Sequence, residues 1–148
     1  MKDHPKDQGD LKRMRKLYLA SCCLFAVGAL FAADATEASL RTSMKSIQPA
    51  HGALGKKIAA KDATAAADAK MLVTWFNTSG KFWKAKKWDD AIAFNKTAVA
   101  SYKAIAKSAM AGKWDEASKS HQAASATCKG CHSAHRGPKG ADGVYPIK

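Results

Sequence analysis

The chain has 148 residues and a formal net charge of +13, which leaves room for one small domain and not for several. Charge of that sign calls for an acidic partner or an anionic surface, although many of the lysines also suit solvated helix faces. No basic motif interleaved with aromatic residues is present, which argues against nucleic acid. No paired acids with catalytic spacing, phosphate loop or nucleophile with a base is present either, so no enzymatic activity is expected.

Residues 1–35 read as an export signal. Lys12, Arg13, Arg15 and Lys16 form a basic region, Leu17 to Ala32 a nearly unbroken apolar run, and Ala33-Asp34-Ala35 a small-residue cleavage site. The polar residues before Lys12 make the basic region long, and Met14 is an alternative start. The apolar run, about 16 residues, falls short of the roughly 20 that span a bilayer, so cleavage is favoured over a retained anchor. Leu19-Ala20-Ser21-Cys22 resembles a lipoprotein signal, but most of the apolar run lies beyond it. The expected mature chain is periplasmic, not stably inserted in a membrane, and keeps Cys128 and Cys131 as its cysteines.

Residues 36–136 carry helical periodicity and almost no strand signal. The first helix is expected from Glu37 to Lys61, where Leu40, Met44, Ile47, His51, Leu54 and Ile58 recur in steps of four and three. Pro49, on the opposite side, predicts a kink. Asp62 reads as the N-cap of a second helix running to about Thr78, with Met71, Leu72, Trp75 and Phe76 as its apolar content. Ser79-Gly80 ends it, or it frays through Phe82 and Trp83.

The third helix is expected from Trp88 to Gly112, with Ile92, Asn95, Val99, Tyr102 and Ala106 on one face. The fourth starts at Trp114 and places Ala117, His121, Ala124, Cys128 and Cys131 on one stripe. Gly137-Pro138 stops it, and residues 137–148 read as a loop-like tail. Lys87-Trp88-Asp89-Asp90-Ala91 returns as Lys113-Trp114-Asp115-Glu116-Ala117, which reads as shared helix-start chemistry and not as a repeat architecture. The expected fold is all-α, an antiparallel four-helix bundle.

Cys128-Lys129-Gly130-Cys131-His132 is the C-x-x-C-H pattern of covalent haem attachment. On a helix these three side chains share a face, so two thiols can bond to one edge of a porphyrin while the imidazole reaches the iron. Zinc would need further ligands, from His135 and a distant histidine. A plain disulfide is the other alternative, and it leaves His132 without a role. One haem c per chain is expected, held by Cys128 and Cys131, with His132 as proximal iron ligand. Met44, on the inward stripe of the first helix, is the candidate sixth ligand and His51 its rival. Tyr102 lies on an inward face, where haem contact is expected. His121 reads as packing and His135 as exposed.

An export signal, four helices and C-x-x-C-H late in the chain together resemble the class II c-type cytochromes, the group of cytochrome c prime and the low-spin c-556 type. The match is closest over Cys128 to Arg136, where the motif is followed four residues on by Arg136. The resemblance implies a first-helix methionine, for which Met44 stands, and an arginine near it. Arg41 lies three residues before Met44, where the family usually has four, and it and Arg136 become candidate haem contacts. It further implies a one-electron carrier working with an acidic redox partner protein. The alternative is a five-coordinate protein that binds nitric oxide or carbon monoxide. Members often form dimers, so a homodimer is a further expectation.

Overall fold

The computed structural model describes residues 36–148, and the export-signal reading of residues 1–35 lies outside them. Four helices account for most of the chain: α1 Glu37–Ala59, α2 Ala65–Lys86, α3 Asp89–Met110 and α4 Trp114–His135. Among the described residues there is no strand beyond a single bridge between Arg136 and Ile147, and no helix is long and apolar enough to cross a membrane.

α1 starts where the hydroxyl of Thr36 accepts the Ser39 N–H at 3.2 Å, with Glu37 in the first turn to suit the positive end of the helix. It runs through Pro49 to Ala59, burying Leu40, Ile47, Leu54 and Ile58. Met44 and His51, on the same stripe, are partly buried.

The expected limits of α2 need correction at both ends. Asp62 is not its N-cap: the carboxylate accepts the Thr64 N–H at 2.8 Å, and the helix begins only at Ala65. Lys61, at φ 56°, supplies the left-handed residue of the turn before it. At the other end, Ser79-Gly80 does not stop the helix. The Ser79 hydroxyl donates to the Trp75 carbonyl at 3.0 Å, and Gly80 lies buried beneath Asn95 of α3. A Cβ on Gly80 would stand 2.6 Å from Asn95 Nδ2, so this glycine permits a close helix approach. Burial of Phe82 and Trp83 then carries α2 on to Lys86, since tertiary packing outweighs a local propensity cost of about 1 kcal/mol. Lys87, left-handed at φ 57°, closes it.

α3 and α4 begin within a residue of their expected starts, Asp89 and Asp90 leading the first and Asp115 and Glu116 the second. On α3, Tyr102 and Ala106 of the expected face are buried, whereas Ile92, Asn95 and Val99 are only partly so and Ala91, Ala98 and Ile105 are buried beside them. α3 packs against two neighbours, and its alanines let both approach closely.

Paired contacts fix the directions. Gly80 meets Asn95, His135 meets Asp90, Ser108 meets Glu116, and His51 meets Ser125 while Gly55 meets His121. Rising numbers on one helix match falling numbers on the next, so the four helices form an antiparallel ring closed by α1 against α4. The α1–α4 seam is the thinnest of the four.

Two apolar clusters fill the ring. One, around Leu54, Leu72, Tyr102 and Ile105, occupies most of it; the other gathers Leu40, Phe82, Trp83 and Ala91. Met44 touches both. The tail is irregular, as expected, yet it is pinned to the bundle: Gly137 N–H donates to the Pro146 carbonyl at 2.7 Å, Lys148 N–H to the His135 carbonyl at 3.1 Å, and Ile147 packs on the second cluster.

Candidate functional site

Cys128 and Cys131 lie one turn apart on α4, both half-buried and both free thiols. Gly130 between them presses against Phe94 of α3; a Cβ there would stand 2.9 Å from the ring. The motif is therefore seated against α3 through a residue that has no side chain. Burial raises the pKa of Cys128, and that of Cys131 is pushed up to about 11 by burial and by the charges of Cys128 and Asp90. Both remain protonated at neutral pH.

Beneath Cys128 runs a chain of polar groups. His51 Nε2 lies 2.8 Å from Ser125 Oγ, and His51 Nδ1 lies 2.9 Å from the Tyr102 hydroxyl. The Ser125 hydroxyl donates to the His121 carbonyl at 3.1 Å, which leaves its oxygen to accept from His51. His51 is thereby assigned as the Nε2–H tautomer, its Nδ1 accepting from Tyr102. The Tyr102 oxygen in turn takes the Cys128 thiol as its neighbour. His121 Nε2–H donates to the His51 carbonyl at 3.0 Å. Every member has its partner, as a buried network requires.

This chain settles what each group is free to do. Both ring nitrogens of His51 are engaged, and burial together with the charge of His121 lowers its pKa to about 4. Tyr102, fully buried, has its pKa raised by burial and by Cys128, so it is a neutral donor. His121 packs as expected, stacked on His51.

His132 is exposed on α4, its pKa lowered by partial burial of the ring and by Arg136. It lies three turns beyond His121 on the same face, the face turned toward α1. The α1–α4 register is fixed by His51 with Ser125 and by Gly55 with His121; Met44 lies two turns before His51 on α1 and His132 two turns after Ser125 on α4. Arg41 and Arg136, at the end of this seam, converge on the tail. Arg41 pairs with Glu37 and donates to the Tyr145 carbonyl at 2.7 Å, while the Arg136 guanidinium lies 3.4 Å from the Tyr145 ring centroid.

His135 corrects the sequence expectation. Its side chain is only 13% exposed, bonded to Asp90 at 2.9 Å and set against Trp83 and Trp88 at centroid distances of 5.7 and 5.2 Å. The carboxylate of α3's first turn and the aromatic end of α2 meet the last turn of α4 there. Ser125 and Gly55 carry no signal in the sequence: Ser125 stands one residue off the apolar stripe, and Gly55 matters only because a Cβ would lie 2.8 Å from His121 Cε1.

Cys128, Cys131 and His132 are the donors that a covalently attached ring would use. The thiols are free and one turn apart, and the adjoining α1–α4 seam is the thinnest in the ring. Zinc has no such set, because among the described residues no three His, Cys, Asp or Glu side chains converge. No known protein family, curated protein or solved structure matches the chain.

Proposed function

We propose that the chain is an exported mono-haem c-type cytochrome that carries single electrons. Cys128 and Cys131 hold the haem through thioethers, His132 binds the iron from α4, and Met44 is the sixth ligand from α1. Haem c, when bound, supplies a one-electron iron couple whose potential methionine ligation raises. The observation that carries the reading is the Cys128-x-x-Cys131-His132 motif on the last helix of a four-helix bundle whose first helix carries Met44 on its partly buried stripe. His51 is set aside as a ligand because Tyr102 and Ser125 occupy both its nitrogens. Export and an acidic redox partner complete the proposal, on the strength of residues 1–35 and of the surplus of lysine.

The test is expression with a functional haem-attachment system, followed by mass measurement and a visible spectrum. The reading requires one added haem per chain and a low-spin ferric spectrum that Met44→Ala converts to high-spin. A high-spin wild-type spectrum that shifts with nitric oxide would move the assignment to the five-coordinate alternative. A purified exported chain with no added haem mass would end the proposal.

A further inference from the structure

Acidic residues are unevenly placed in this bundle. From 36 to 148 they occur only in the first turns of the helices, in the α1–α2 loop and in the tail. None lies between Asp68 and Asp89, or between Asp90 and Asp115. Carboxylates in first turns suit the helix dipoles, and the flanks of α2 and α3 are left with cations alone. The ion pairs among the described residues are Arg41–Glu37, Lys57–Asp68, Lys113–Glu116 and His135–Asp90. Lys84 on α2 and Lys96 and Lys103 on α3 therefore have no carboxylate partner among the described residues.

These three lysines line one cleft. It follows the outer α2–α3 seam, holds about 270 Å³, and also has Ile92, Asn95 and Val99 in its lining. Asn95 Oδ1 is buried there without a hydrogen-bond partner, a rare condition for a buried carbonyl oxygen. The cleft thus combines unpaired cations with two apolar side chains.

We infer that this cleft is the docking surface for an acidic segment of a partner protein. Lys96 and Lys103 stand two helical turns apart, about 10 Å along α3. Carboxylates held at similar spacing on an ordered chain can meet both, with Lys84 closing from α2. Ile92 and Val99 offer apolar contact between the charges. A concave seam with cations on its two sides suits a polypeptide better than a bilayer, which presents a flat anionic face. The surface rests on the acidic-partner part of the proposed function; Cys128, Cys131 and His132 take no part in it, so failure of haem attachment and failure of docking are separate outcomes.

The test titrates the full-length purified chain with a short oligoglutamate peptide at low salt and follows backbone amide shifts. Shifts confined to α2 and α3, with binding about tenfold weaker in the triple variant Lys84→Ala/Lys96→Ala/Lys103→Ala, are expected. A control triple, Lys45→Ala/Lys56→Ala/Lys139→Ala, removes the same charge elsewhere and is expected to leave binding within about twofold. Equal weakening in both triples would reduce the effect to net charge and overturn the assignment. So would binding to phosphatidylglycerol vesicles without binding to the peptide, which would make the surface a lipid contact.

Discussion

The imidazoles of His51 and His121 lie face to face, with ring centroids 4.1 Å apart and planes 9° from parallel. Two stacked imidazoles are compatible when His51 is neutral and repel when both are charged. The folded chain holds His51 near a pKa of about 4 against 6.5 when exposed, so the folded state binds fewer protons than the unfolded one below pH 6.5. Its contribution is fully present above the unfolded pKa and declines as pH falls from about 6.5 toward 4, by at most about 3 kcal/mol. Urea unfolding at pH 7.5 and at pH 5 checks this. In His51→Gln the difference between the two pH values is expected to shrink.

Tyr102→Phe is expected to cost about 1–3 kcal/mol of stability, measured by the same unfolding. It removes the donor to His51 Nδ1 and the neighbour of the Cys128 thiol, leaving a buried acceptor unsatisfied.

Two glycines three residues apart on α1 are expected to respond with opposite signs. A Cβ at Gly52 meets nothing within 4 Å, so Gly52→Ala should raise stability by about 0.5–1 kcal/mol through helix propensity. A Cβ at Gly55 stands 2.8 Å from His121 Cε1, in a ring fixed by its stack and its bond to the His51 carbonyl. Gly55→Ala should therefore lower stability by about 1–2 kcal/mol, overpacking outweighing propensity. Thermal unfolding of the two variants side by side decides it.

On the haem-loaded chain, His51→Gln is expected to leave the ferric visible spectrum low-spin, whereas Met44→Ala does not. The comparison separates a ligand from a residue whose nitrogens are committed to Tyr102 and Ser125. A spin-state change in His51→Gln would reverse the assignment of the sixth ligand.

Much of the frame was legible because it rests on local chemistry. The stripe from Leu40 to Ile58 and the acidic first turns at Asp89 and Asp115 mark three helices from their own residues. Where reading failed, a distant residue decided. Gly80 looks like a helix stop until Asn95 is found over it, and His135 looks exposed until Trp83 of α2, Trp88 of the α2–α3 connection and Asp90 of α3 meet it. The site divides in the same way. C-x-x-C-H declares itself by spacing, but the link from Cys128 through Tyr102 and His51 to Ser125 joins three helices and leaves no periodic trace.

The shared hold of Arg41 and Arg136 on Tyr145, with Ile147 packed on the cluster that contains Leu40, brings both extremities of the described segment to one pole of the bundle. A circular permutant follows from this: a short glycine-serine bridge from Lys148 to Thr36, with new ends opened in the exposed turn at Ala111–Lys113. Such a rearranged chain should keep its helical circular dichroism, and the Cys128 motif would then precede α1 in sequence while keeping its place beside it.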